Sequence, residues 1–273
     1  MSLSTILFLF LAHLGVGIAF TLALVSREAG VKFFRFNAGL AAILIAIALA
    51  FYYSGSNPGD PPPTRLARVS VLALGAAEAA IILYWATVGR MLARIRPVFA
   101  GIAVGGGLLA VVLQALALTA GRAFPMRALT VASFLSSAAL LGGACTAMIL
   151  GHWYLILPSM QVSHLQNIVK VHIVSMIVRV VVVGAAVFLA IGSWQPGLGP
   201  SFQHYITSVS GIFFWQRVLF GLAGPALLSY LTWETAKIRA TQSATGILYV
   251  DFFTVVVGEI LAKYLLLATR VPV

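Results

Sequence analysis

Apolar residues in this chain come in eight long runs, at about residues 3–25, 34–54, 67–89, 97–119, 128–151, 168–193, 206–232 and 244–267, separated by short polar or Pro/Gly-rich breaks. A helix needs ~20 apolar residues to cross the ~30 Å hydrocarbon core of a bilayer, so each run predicts one transmembrane helix. Sustained β alternation is absent, which favours a helical bundle over an outer-membrane barrel. The expected fold is therefore an all-α integral membrane protein of eight spans, divided by the turn at Gly121 to Arg127 into helices 1–4 (residues 1–126) and helices 5–8 (residues 127–273). No residue-level repeat relates the two halves on inspection of the sequence.

Composition agrees: 61% of the 273 residues are hydrophobic, 8% are charged and the mean hydropathy is +1.05, values outside the range of soluble domains. The formal net charge of +11 does not point to nucleic acid, because the basic residues lie in short loops and form no basic domain. Membrane topology explains them. With the amino terminus outside, the inner loops hold Arg27, Lys32, Arg35, Arg90, Arg94, Arg96, Lys237 and Arg239, and the outer ones Arg65, Arg68, Arg122, Arg127 and Arg270. Eight against five favours a bacterial cytoplasmic-membrane protein with both termini periplasmic. Residues 3–25 lack a basic n-region and a cleavage site, and read as a retained helix.

Between the spans, SGSNPGDPPPTR (54–65) predicts an extended outer segment, and SWQPGLGPSFQHY (193–205) an interfacial loop with aromatic anchors. Gly105-Gly106-Gly107 and Gly142-Gly143 predict close helix packing. Pro225, with Gly221 and Gly224, predicts a kink in the seventh span. The single cysteine, Cys145, excludes an internal disulfide and multi-cysteine metal motifs, and reads as a packing residue.

Six acidic side chains exist, and three of them, Glu78, Asp251 and Glu259, fall inside spans. A carboxylate at bilayer depth costs at least ~2.5 kcal/mol, so such groups face a bundle interior and mark a proton, ion or substrate path. Depth along the helices sorts the intramembrane polar groups into three layers. His13, Glu78, Arg179 and Arg217 fall in the middle, where they can neutralise one another or enclose a polar ligand. Gln114, Glu259 and Lys263 fall toward the outer side, with Glu259 and Lys263 spaced i, i+4. His152, His172 and Asp251 fall toward the inner side, with His164 in the connecting loop. His152 and His172 close and open neighbouring spans, the arrangement by which membrane cytochromes ligate haem b.

No GxxxxGKS loop, HExxH helix or GxSxG turn is present, so ATP-driven work and soluble-type hydrolysis have no support. The segment 239–273, with Glu259-Ile260-Leu261-Ala262-Lys263-Tyr264-Leu265, resembles the closing helix of the membrane-anchor subunits of the DMSO-reductase and polysulfide-reductase (NrfD-like) families. Where those families have Gly-Arg, this chain has Ala262-Lys263. The resemblance implies eight spans, both termini outside, and a cofactor-free subunit that binds quinone and docks an iron–sulfur protein.

The expected function is a quinone-interacting integral subunit of a respiratory or photosynthetic electron-transfer complex, not a stand-alone enzyme, with iron–sulfur or cytochrome subunits as partners. Quinol oxidation releases two protons, so Glu78 or Glu259 would accept and His13 relay. Gln114, Arg179 and Arg217 would complete a quinone site with His13 and Glu78. Three alternatives stay open: a single-haem cytochrome b-type subunit, a proton-coupled anion transporter built on Arg179, Arg217 and Glu78, and a structural accessory subunit.

Overall fold

The computed structural model describes residues 2–55, 62–90, 94–156, 161–193 and 201–273; the expectations for the proline-rich and Trp194-containing loops fall largely outside these. Among them every regular element is helical, as a bilayer requires of any segment whose backbone cannot bond to water. The elements are α1 (Leu3–Leu22), a 3₁₀ turn (Arg27–Ala29), α2 (Gly30–Ser54), α3 (Arg65–Thr87), α4 (Arg96–Leu118), α5 (Phe124–Ile156), α6 (Val162–Gly192), α7 (Phe202–Thr207), a second 3₁₀ turn (Val209–Gly211), α8 (Ile212–Val218), a π-helical turn (Leu219–Ala223), α9 (Gly224–Lys237) and α10 (Thr241–Thr269). Eight helical stretches are long and apolar enough to span a membrane, the seventh running from Val209 to Lys237 through α8 and α9. The chain is a multi-pass membrane protein.

Local chemistry sets the helix ends. Thr64 caps α3 by accepting from the Ala67 amide at 3.2 Å, and Pro97 opens α4, where its missing N–H costs nothing. Gly121 turns the chain between α4 and α5 with φ of 80°. Two boundaries differ from the sequence reading. α5 and α6 are 33 and 31 residues long, so His164 is in the first turn of α6 and not in a loop. His204 likewise lies in α7, a helix of 6 residues capped by Ser201. Both extensions lie where polar residues end the apolar run but backbone hydrogen bonding continues into the interface.

In the first half α1 packs on α2, α2 on α3, α3 on α4, and α4 returns to α1; in the second, α5, α6, α9 and α10 close a ring the same way. The halves meet mainly through α1 and α5, the two most enclosed helices, with 78% of the most apolar window of each buried against 33–39% for the others. These two helices are parallel, being four crossings apart, and cross with backbones touching. A Cβ on Gly142 would fall on the Gly17 backbone, and one on Gly17 would fall on the Ala138 carbonyl. Thr21 and Thr146, each four residues beyond its glycine, join hydroxyls at 2.6 Å. The halves thus share a Gly-x-x-x-Thr segment that pairs with itself, a correspondence too short to stand out in the sequence.

The seventh span breaks where the sequence places Pro225. Without an N–H, Pro225 frees a carbonyl one turn earlier, and the helix passes through the π-helical turn Leu219–Ala223. There Gly221 lies against Gly258 of α10, and the Arg217 guanidinium occupies the space that side chains at those two positions would take.

Candidate functional site

Glu259, on α10, is the centre of a wholly buried charged cluster. Its Oε1 accepts from Arg179 Nε and from Arg217 Nη2, both at 2.9 Å, and its Oε2 accepts from Arg179 Nη2 at 3.1 Å and from Ser137 Oγ at 2.6 Å. Arg179 on α6 therefore grips the carboxylate as a two-pronged fork, the geometry that suits guanidinium best. Its remaining donors go to Ser133 Oγ (2.6 Å), the Ser133 carbonyl (3.1 Å) and the Val273 carbonyl (3.5 Å). Arg217 on α8 makes one of these bonds, and its Nε and Nη1 have no partner among the described residues. Lys263, one turn beyond Glu259, completes the set with Nζ 3.6 Å from Oε2, so the i, i+4 pair of the sequence forms.

Three cations thus share one carboxylate in the middle of the bundle. Each buried ion carries a desolvation cost of several kcal/mol, which only close pairing and hydrogen bonding offset. Ser137 supplies part of that. Its hydroxyl has one proton, given to Glu259, and two lone pairs, one taken by Lys263 Nζ at 2.7 Å. The other faces His13 Nδ1 of α1 at 3.3 Å, and since Ser137 can only accept there, His13 carries its proton on Nδ1. That leaves His13 Nε2, wholly buried, as an acceptor. Phe134, one turn before Ala138, covers the site edge-on to His13 and face-on to Lys263.

Gln114 of α4 is 3% exposed and lies within hydrogen-bonding reach of His13. It lines a cavity of about 370 Å³ together with Thr5, Phe8, Leu9, Phe51, Tyr52 and Leu118. Most of these residues sit near the ends of α1, α2 and α4 on the side of the chain termini, so the cavity lies on that side of the first four-helix ring.

The structure brings together six of the residues singled out in the sequence, His13, Gln114, Arg179, Arg217, Glu259 and Lys263, and leaves Glu78 apart. Glu78 is half-buried on α3 with Oε2 unpartnered, and the buried carboxylate that meets the arginines is Glu259. Depth alone had separated Glu259 and Lys263 from Arg179 and Arg217; long side chains join the two layers. Ser133 and Ser137 escaped the sequence reading, although a Ser-x-x-Ser-Ser stretch inside an apolar span is a visible signal.

The inner-side histidines do not face one space. His152 is exposed on α5 and meets the Tyr249 hydroxyl at 3.1 Å, whereas His172 of α6 is wholly buried with Nε2 2.7 Å from Asp251 Oδ2. Tyr249 and Asp251 are two positions apart, ~200° around α10, so their histidines are held on different sides of that helix. The pair does not fit bis-imidazole ligation of one haem. Among the described residues no group of three His, Cys, Asp or Glu side chains is placed to hold a metal ion. Cys145 is buried and free.

Compared with known protein families, the chain matches no family model, and no curated protein matches it.

Proposed function

We propose that the chain is a quinone-interacting subunit of a membrane electron-transfer complex, in which the cavity of the first ring takes the quinone head and the buried cluster exchanges its protons. One observation carries this reading: Gln114 lines an apolar cavity and lies beside His13, and from His13 a hydrogen-bonded set of buried groups, Ser137, Lys263 and Glu259, leads into the protein. A quinone needs an apolar slot, a hydrogen-bond partner for a ring oxygen and a titratable acceptor. Gln114 offers amide N–H to a quinone carbonyl or its carbonyl to a quinol hydroxyl. His13 Nε2 is an acceptor at the same end. When bound, the quinone supplies the two-electron chemistry; the chain's own residues orient the ring and receive or return protons.

Partner subunits carrying iron–sulfur or haem centres would handle the electrons, as the NrfD-like resemblance of residues 239–273 implies. The basic bias of the loops supports the bacterial cytoplasmic membrane with periplasmic termini, which puts the cavity in the periplasmic half. Glu78, on α3 and outside the cavity's lining, takes a peripheral place in proton exchange.

The test is equilibrium binding of a short-tailed benzoquinone and a naphthoquinone to purified protein. Gln114→Leu keeps volume and removes the hydrogen bond; His13→Gln removes titration. Each is expected to weaken binding by about tenfold, the loss of one buried hydrogen bond to the ligand. Unchanged affinity in both variants would remove the cavity from quinone chemistry.

A further inference from the structure

The second ring contains another buried titratable pair, which the cavity does not need. His172 of α6 and Asp251 of α10 are each 0% exposed, with Nε2 and Oδ2 2.7 Å apart, and among the described residues neither side chain has a hydrogen-bond partner of good geometry. They lie about ten residues from the ends of α6 and α10 at the face opposite the termini, ~15 Å deep. Ser229 of α9, a third helix of this ring, is buried with its hydroxyl unpartnered among the described residues and lies eight residues from the end of α9 on the same side, ~12 Å deep.

The same two helices carry the central cluster further in. His172, Ser175 and Arg179 occupy one face of α6 at i, i+3 and i+7, and Asp251 and Glu259 one face of α10 at i and i+8. Two helical turns, ~10–12 Å, separate the pairs. Ser175 stands between them, 8% exposed, its hydroxyl donating to the Val171 carbonyl at 2.9 Å. Along the α6 axis it divides the separation into two rises of roughly 5 Å each.

Of α5, Gly143 lies against His172, a Cβ there falling 3.5 Å from its Nδ1, and α9 carries its charges, Glu234 and Lys237, paired with each other at the exposed end. Lys170 of α6 is turned to the Trp233 ring at 5.3 Å. Apart from the central cluster, no fixed charge of α5, α6, α9 or α10 meets the pair among the described residues.

We propose that these groups form a transmembrane proton path, so that the protein connects the cavity on the termini side with the opposite face of the membrane. It deepens the quinone reading, resting on it only at the cavity end. A proton taken up at His13 Nε2 releases the one on Nδ1 to Ser137 Oγ, whose own proton passes to Glu259 or to a neutral Lys263. Guanidinium does not deprotonate in proteins, so of the three cations Lys263 alone exchanges a proton. From the cluster the proton moves past Ser175 to Asp251 and His172 and out beside α9. Only O–H and N–H bonds break and form, one proton leaves at the far face for each one taken up, and the path runs equally in reverse.

The test is proton flux into liposomes holding the purified chain and an entrapped pH dye, driven by a potassium diffusion potential with valinomycin. Wild-type vesicles are expected to acidify several-fold faster than protein-free ones. Asp251→Asn should lower the excess flux by about tenfold or more, the scale of losing a positioned proton carrier. Ser175→Ala should lower it by about threefold without touching either ion pair, and decides the matter if Asp251→Asn does not fold. Wild-type flux equal to that of empty vesicles, or unchanged flux in folded Asp251→Asn or in Ser175→Ala, overturns the path. Quinone binding measured on the same preparation separates the two ideas. Binding without flux overturns the path and leaves the quinone site; flux without binding supports the path and overturns the quinone site.

Discussion

Replacing Glu259 by Gln should destabilise the protein far more than replacing any one cation beside it. The carboxylate accepts four hydrogen bonds of 2.6–3.1 Å, three from guanidinium and one from Ser137, with Lys263 Nζ at 3.6 Å. Gln keeps the shape and one acceptor. Its amide nitrogen, however, presents donors to Arg179 or Ser137, which are donors themselves, and three buried cations lose their only anion. Removing one member of a buried pair costs ~3–5 kcal/mol, mostly because the other charge stays buried without compensation. Arg217→Met is different. It deletes one bond of 2.9 Å and relieves a site in which Arg217 Nε and Nη1 are unpartnered and cations outnumber anions. We expect it to cost ~1.5 kcal/mol or less, and the Glu259→Gln/Arg217→Met double variant to be less destabilised than the sum by ~1–2 kcal/mol. Reversible unfolding in mixed micelles, followed by circular dichroism, measures all three. The reasoning is refuted if Glu259→Gln lies within ~1 kcal/mol of wild type, or if Arg217→Met costs as much as Glu259→Gln.

Gly142→Ala should separate α1 from α5 and exceed the ~1–3 kcal/mol usual for overpacking, because the added carbon meets backbone and not a side chain that can turn away. Gly101→Ala is its control: nothing lies within 4 Å, and the same melt should show no loss, or a gain of up to ~1 kcal/mol from helix propensity. For topology, Thr64→Cys should react with an impermeant thiol reagent in intact cells and Arg94→Cys only after permeabilisation, against a background of unreactive, buried Cys145; the reverse pattern would invert the orientation. The purified chain should show no Soret band, since His152 and His172 are held on different sides of α10; a b-type spectrum lost in His172→Ala would restore the haem reading.

What the sequence made legible was depth, and what it hid was direction around each helix. A bilayer fixes the length of a span, so eight apolar runs gave eight helices, and Pro225 marked the break in the seventh. The polar ends of α5 and α6 were misjudged, because hydrogen bonding carries a helix past the apolar run that announces it. Among the carboxylates, Glu78 looked the most exposed to cost because it is mid-span, yet its helix turns it only half inward. Glu259 and Asp251 are the ones enclosed, and the i, i+4 partner of Glu259 was readable while its two arginines, 80 and 42 residues away, were not. Arginine side chains reach across more than a helical turn, which is why rise per residue alone sorted one cluster into two layers.

The close crossing of α1 and α5 also explains why a cavity in one ring and a charged cluster in the other can communicate. His13 lies one turn before Gly17 on α1, and Ser137 five residues before Gly142 on α5, so the parallel crossing that presses Gly17 on Gly142 sets the spacing of His13 and Ser137 a turn away. That spacing is 3.3 Å, near the outer limit of a hydrogen bond. Side chains larger than hydrogen at the crossing would part the helices by more than this contact tolerates. The small-residue packing that holds the two rings together and the one polar contact from α1 to the cluster are therefore a single device. A variant that loosens the crossing should uncouple the cavity from Glu259 and Lys263 even where both rings stay folded.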